Sequence, residues 1–381
     1  MPPLIYLDFA APFRYDWLSR RIFSSFNCIS QKGFLMIAKK IKWLLTGVQI
    51  TLLVWSGAIF AADRVYVANE GANMVSVHDA VSLEKLASIP VGQAPHNVQV
   101  LPDGRFAWVT NNGEPGPVTD DTKHKGSDHG AHGAKTGAVW IIDTSTNAVV
   151  GKVSVGTHPA HVVVTPNGSL AYVTNGGDNS VSVIDTSAQK LVATIAVGQF
   201  PHGIRVSPNG KEVYVANMKS GTVSIIDTAS QKEVAQLPVG KGPAQTGFTP
   251  DGRYAFVSLS QENAVVLIDP ATRKVIRKIA VGTVPIQLYA TPDSRTLLVA
   301  NQGTRKMPGN TISLIDIASF KVVKTLETGK GAHGVVVDRE GRLAYVTNIY
   351  ANSVSVVDLK LRNVTKTILV GKEPNGISIT P

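Results

Sequence analysis

The chain has 381 residues, 44% of them hydrophobic and 17% charged, so it can bury a sizeable core and is not globally disordered. Its formal net charge is +10, but residues 1–62 hold seven Lys/Arg against Asp8 and Asp16; setting them aside leaves 30 basic and 25 acidic residues, a net of +5. Without a Lys/Arg run or a basic helix, that balance gives no expectation of nucleic acid as a partner.

In chain order, the first readable unit is Met36–Lys42, with Lys39, Lys40 and Lys42, followed by an apolar run from Trp43 to Trp55 and small residues up to Ala62. This order is that of a secretory signal peptide over 36–62, and it predicts export to the periplasm or the cell exterior. Residues 1–35 do not fit it and read as an upstream mis-extension ahead of Met36. The alternative is an uncleaved anchor, since Trp43–Ala61 is just long enough to cross a bilayer, but Gln49 and Thr51 count against it, and no stable membrane insertion is expected after signal cleavage. The single cysteine, Cys28, precedes Met36, which leaves the exported part without disulfides and dependent on its core.

From Arg64 onward the chain repeats. Short runs rich in Val, Ile, Thr and Tyr alternate with Gly, Asn, Asp and Pro, the pattern of short antiparallel strands, and no run shows a helical apolar stripe. Two marks serve as rulers. An Asn closes one strand type (Asn69, Asn111, Asn175, Asn217, Asn301, Asn348, with Leu259 in the equivalent place), and an Asp closes the next (Asp79, Asp143, Asp185, Asp227, Asp269, Asp316, Asp358). Asn175 to Asn217 spans 42 residues, the length of one propeller blade. Seven marks of each kind predict an all-β, seven-bladed β-propeller over residues 63–381, with four antiparallel strands, a to d from the channel outwards, in each blade. The chain enters at strand b (Val65–Asn69) and ends on a lone strand a (Gly376–Thr380), which is expected to complete the first blade and close the ring. Pro-Asp-Gly and Pro-Asn-Gly at 102–104, 166–168, 208–210 and 250–252 supply the a–b turns. Both sets of marks read as turn-forming Asx residues rather than as catalytic groups. The rulers also place two insertions between strands b and c: a long one at 112–137, rich in His, and a short one between Asn301 and Asp316.

The strings Tyr-Val-Thr-Asn (172–175 and 345–348) and Tyr-Val-Ala-Asn (66–69 and 214–217), each followed by a Val-Ser-Val-Ile-Asp-like strand, resemble the YVTN-type β-propeller repeat proteins over residues 64–381. The resemblance is specific for fold. For function it implies a broad group: surface antigens, heme d1-binding propellers, nitrous-oxide-reductase-like propellers and sugar-lactone hydrolases.

Chemistry is expected on the face that receives the b–c and d–a connections, here called the top. Of nine histidines, eight map there: His96, His158, His161, His202 and His333 to d–a loops, and His124, His129 and His132 to the long insertion; only His78 lies elsewhere, in strand c. His96, His161, His202 and His333 come from four blades and stand by the channel mouth. Imidazoles converging this way suit a metal site, with copper, zinc and iron or heme all open as occupants. The plainer reading is that Pro-His-Gly is the consensus for entering strand a, since the slot after the proline holds His, Ala, His, Ala, Ile, His and Asn around the ring. The insertion segment 120–132, with His124, His129 and His132, reads equally as a loose metal-binding lid or a solvated loop. Lys241, Lys330, Lys372 and Arg305 make the top face positive and favour an anionic ligand, although the opposite face carries Arg105, Lys211, Arg253 and Arg342 as well.

No nucleophile elbow, phosphate loop or paired-carboxylate constellation is present, so the sequence names no catalytic residue. The expectation is an exported, monomeric binding propeller presenting a His-rich top face to a ligand or protein partner, a transition metal being one ligand open to it. Two alternatives stand beside it: a metal- or heme d1-dependent enzyme or cofactor-handling propeller, within which a lactonase-like hydrolase ranks lower, and a cell-surface interaction protein with no small ligand.

Overall fold

A computed structural model of the chain describes residues 63–113 and 136–381. They form seven four-stranded antiparallel sheets. The first blade takes strand b from Arg64–Asn69, c from Met74–Asp79 and d from Lys85–Pro90, and its strand a is Pro374–Ile379 from the far end of the chain. Strand b pairs with strand a through Val65↔Ile379, Tyr66↔Ser378 and Val67↔Ile377, so the ring closes as the sequence predicts. The signal-peptide reading at 36–62, the mis-extension reading at 1–35 and the insertion histidines His124, His129 and His132 lie outside the described residues.

Apolar side chains gather into seven clusters, each at one blade-to-blade junction. The junction of the last and first blades is filled by Tyr345, Val354 and Val356 against Val65, Val67 and Ile377. The first letter of the repeated string explains much of this packing. Tyr66, Trp108, Tyr172, Tyr214, Phe256, Leu298 and Tyr345 occupy one register position on strand b, opposite strand-c residues such as Val77, Val183 and Val356, and all are buried. A large ring at this slot bridges neighbouring sheets, which a disulfide-free domain needs.

The Asp marks behave as expected: in every blade the side chain accepts backbone N–H bonds from the turn that follows, as with Val81 and Ser82 on Asp79 Oδ1 at 2.9 and 2.7 Å. The Asn marks differ. They are buried, and all but Asn111, whose Nδ2 donates to the Val109 carbonyl of its own strand, donate across to a strand-c serine: Asn175 to Ser182 Oγ at 2.9 Å, Asn217 to Ser224 Oγ at 2.8 Å and Asn348 to Ser355 Oγ at 2.9 Å, with Asn69 and Asn301 alike. These five are cross-strand clamps rather than turn formers, which also explains the Ser inside the Val-Ser-Val strands. The short insertion lies between strands b and c, where the spacing from Asn301 to Asp316 puts it. Its extra residues lengthen strands b and c into a hairpin, Thr296–Gly303 against Pro308–Asp316, with Gly303 opposite Pro308.

Burial raises the pKa of Tyr66, and pushes that of Tyr172 up to about 12 with help from Asp227; Tyr214 and Tyr345 are pushed further in the same direction. A phenol held protonated only by the folded state stabilises it fully below the unfolded value of 10.0 and loses that contribution as pH rises through the folded value. Thermal melts are therefore expected to hold their midpoint up to about pH 10 and to fall steeply toward pH 12. A midpoint unchanged at pH 11.5 would contradict this placement of the tyrosines.

Candidate functional site

The site is built by the innermost strands. Each begins at the residue the sequence marks as loop punctuation: Pro95, Pro159, Pro201, Pro243, Pro285, Ala332 and Pro374. His96, His202 and His333 are thus the second residue of strand a, and His161 the third, rather than members of the d–a loops. The prolines fit there because a strand's first N–H need not join the ladder. A bulge follows at once. In the second blade Pro95 faces Asn111, but the next pair is Val98 with Val109, so His96 and Asn97 together oppose Thr110. The same shift recurs at Pro159/Val162, Pro201/Ile204 and Ala332/Val335. With two residues in the place of one, either can turn inward.

The third letter of the string latches these bulges. Thr174 Oγ1 accepts from His161 N at 3.0 Å and donates to the His202 carbonyl of the next blade at 2.7 Å. Thr110, Ser258 and Thr347 make the equivalent bridges to Ala160, Ile286 and Asn375. Side-chain size follows from crowding between neighbouring strands. Where the second residue is His202, His333 or Asn375, the third is Gly203, Gly334 or Gly376; a Cβ at 376 would lie 2.6 Å from Asn97 Cα. Where the second is Ala160, Ala244 or Ile286, the third is His161, Gln245 or Gln287.

Four imidazoles converge in this ring. Centroid separations are 5.1 Å for His96–His202, 5.0 Å for His161–His202, 5.5 Å for His96–His161 and 6.3 Å for His96–His333. One nitrogen each from His96, His161 and His202 lie mutually within 4.8 Å, and His96 Nε2 is 3.2 Å from His202 Nε2. Two nitrogens bound tetrahedrally to one zinc at 2.0–2.1 Å stand about 3.3 Å apart, so this pair already has the spacing of a shared ligand edge.

The far ring nitrogens are held. His202 Nδ1 lies 2.9 Å from the Ala244 carbonyl, which can only accept, so the proton is on Nδ1 and the Nε2 lone pair points at the cluster. His333 Nδ1 is 2.5 Å from Gln302 Oε1, and Gln302 Nε2 donates to Tyr350 Oη at 2.8 Å. His96 Nδ1 faces Asn375 Nδ2 at 3.0 Å and the Glu70 carboxylate at 3.6 Å, while Asn375 donates to Glu70 Oε2 at 2.6 Å. Burial alone would raise the Glu70 carboxyl, but its contacts with His96 and Asn375, and the nearby His333, outweigh that and pull it down to about 2. His161 is buried with Nε2 unpartnered among the described residues. Burial first, then the neighbouring His202, His96, Arg205 and His333, push its pKa well below 6.5, so it is neutral at physiological pH.

The remaining candidates separate from this centre. His158 bonds Asn112 Oδ1 at 3.1 Å and packs on Phe200, and His78 lies buried between Ser76 and the Leu83 carbonyl; both have structural surroundings. Lys241, Lys330 and Lys372 are exposed on d–a loops, with no hydrogen bond or ion pair to the histidines among the described residues. Arg305 bonds Glu373 at 2.7 Å and lies 5.2 Å from the Tyr350 ring. Sequence reasoning missed Glu70, in the short turn Glu70–Ala72 of the first blade, as well as Gln302 and Arg205. Arg205 could have been found by aligning the fifth residue of each strand a.

Among known proteins, a family model described as "Lactonase, 7-bladed beta-propeller" matches residues 139–233. Antigen Lp49 of Leptospira interrogans is 24% identical over 119 residues, 31% of this chain, and the match spans 24% of that antigen's length. Hydrazine synthase of Kuenenia stuttgartiensis superposes with a TM-score of 0.62 at 23% identity, covering 74% of this chain and 88% of that one. The periplasmic gluconolactonase of Pseudomonas aeruginosa superposes at 0.66 with 17% identity over 84% and 99% of the two chains. A dihydro-heme d1 dehydrogenase superposes at 0.60 with 18% identity over 83% and 74%. The likenesses establish the seven-bladed propeller.

Proposed function

We propose that this chain is an exported binding propeller that holds a divalent transition metal at its channel mouth, on His96, His161 and His202. The observation that carries the reading is the trio itself: three imidazoles from three blades, one already paired at ligand-edge spacing, one neutral and unpartnered, one with its tautomer fixed by a carbonyl. The donor set fits. An all-imidazole site suits copper and zinc, and Cu(II) outranks Zn(II) on such ligands. Glu70 stands behind His96 as a carboxylate stands behind a metal-bound imidazole, accepting the Nδ1 proton once Nε2 ligates. Three protein ligands leave coordination positions open toward the channel, where a small ligand can join the metal.

Export rests on the 36–62 segment. Among the described residues, no helix is long and apolar enough to cross a membrane. No observation favours catalysis over binding, and the chain is taken to act as a monomer.

Titration of the purified, chelator-stripped chain with Cu(II) and Zn(II) by calorimetry tests the reading. One equivalent is expected in a variant lacking residues 120–132, with Cu(II) tighter than Zn(II). Binding no tighter than to the same chain unfolded in denaturant would overturn it.

A further inference from the structure

The fifth residue of each strand a is Gln99, Val163, Arg205, Gly247, Tyr289, Val336 or Ser378. Beside all of these but Gly247 lies a cavity of about 110 Å³, lined by Arg205, Asn97, Gln99, Gln287, Tyr289, Ser378 and His161 together with apolar residues. Arg205 is the only cation in that lining, and no carboxylate lines it. Among the described residues no acidic group forms an ion pair with its guanidinium, and the Tyr289 ring centroid lies 5.8 Å from it. Arg205 is half-buried, and a guanidinium drawn partly out of water without a counter-charge carries a cost that a bound anion offsets. A second, independent gap points to the same place. Gln287 is 4% exposed, lines the cavity, and its Nε2 donor is unpartnered among the described residues. Ser378 Oγ accepts from Val100 N at 3.1 Å, which leaves its own proton to donate.

We infer that this cavity is an anion site, in which a small inorganic oxyanion of the phosphate or sulfate class sits on the Arg205 fork and takes further hydrogen bonds from Gln287 Nε2 and the Ser378 hydroxyl. The chemistry is complementary: the guanidinium presents parallel N–H donors spaced for two oxygens of one oxyanion, and the other donors supply the remainder. Tyr289 holds the guanidinium from one side. The volume admits an ion of about five heavy atoms and excludes a large organic anion. The cavity touches the proposed metal site at one residue, His161, whereas His96 and His202 do not line it, so their replacement separates the two sites.

The purified, chelator-stripped chain is titrated by calorimetry with sodium phosphate and sodium sulfate at constant ionic strength, alongside Arg205→Met, Arg205→Lys and a His96→Ala/His202→Ala variant. Saturable binding at one ion per chain is expected, at least tenfold weaker in Arg205→Met, weakened less in Arg205→Lys, and retained in the histidine variant. Without anion, Arg205→Met is expected to melt no lower than the parent, because it removes a charge that lacks a partner. If Arg205→Met fails to fold, Gln287→Leu takes its place and is expected to weaken binding severalfold. Equal affinity in the parent and the Arg205 variants, melting points raised equally by salt in all of them, or no saturable binding of either anion would overturn the inference.

Discussion

A chain cut back before Pro374 is expected to lose most of its thermodynamic stability. Strand a of the first blade comes wholly from Pro374–Ile379, so its removal leaves strand b of that blade unpaired at the channel and takes Ile377 out of the cluster that joins the last blade to the first. Fully burying an Ile side chain is worth about 1.5–3 kcal/mol. The cut also leaves Val65, Val67 and the neighbouring Val336 without their Ile377 contact, and frees the Thr347 hydroxyl that donates to the Asn375 carbonyl at 2.9 Å. The total loss is expected to exceed ~5 kcal/mol, which rivals the whole stability of an ordinary domain. The new strand edge should also promote aggregation. Differential scanning calorimetry and size-exclusion chromatography of the 374–381 deletion give the outcome directly. A monomeric variant melting within a few degrees of the parent would show that the ring does not depend on this strand.

The second large effect is on metal uptake. Replacing His96 and His202 together by Ala removes the pair whose Nε2 atoms stand 3.2 Å apart, and is expected to weaken Cu(II) affinity by at least about 100-fold. His202 is buried, and its loss leaves the Ala244 carbonyl without its imidazole partner, so a modest fall in melting temperature accompanies the change. A Glu70→Gln variant separates the two effects: it keeps the ligands and the shape but withdraws the carboxylate behind His96, and about a tenfold loss of affinity is expected at little cost in folding. Uptake should weaken as pH falls below the ordinary imidazole range, near 6.5, because a protonated ring has no lone pair to give. In the metal-free protein the depressed His161 pKa has the matching sign. Its neutral form stabilises the fold fully above 6.5, and that contribution is lost progressively as pH falls below it. Affinity unchanged in the double variant would place the metal elsewhere, with the insertion histidines as the first suspects.

The architecture was legible because it is written in repeated residues. The Asn and Asp marks set the blade length, the terminal strand a had no blade of its own, and the spacing from Asn111 to Asp143 exposed the long insertion. Two local readings were off for physical reasons. Proline looks like a loop boundary in a sequence, yet here it opens the innermost strand, which moves His96, His202 and His333 from loop to strand. Asn looks like a turn former, yet Asn175, Asn217 and Asn348 are buried clamps on strand-c serines. The histidine convergence was legible only as a shared face, because centroid distances near 5 Å depend on the bulges and on how tightly the ring closes. Glu70 and Arg205 were invisible to the rulers, since each occupies a slot that other blades fill with unrelated residues.

Diffraction from crystals grown with one equivalent of Cu(II), recorded on both sides of the copper absorption edge, tests the central claim most directly. The account predicts a single strong anomalous peak at the channel mouth, about 2.0–2.1 Å from the Nε2 atoms of His96 and His202 and from a ring nitrogen of His161. Anomalous density confined to surface side chains or to the 120–132 segment, with the three imidazoles bare, would contradict it.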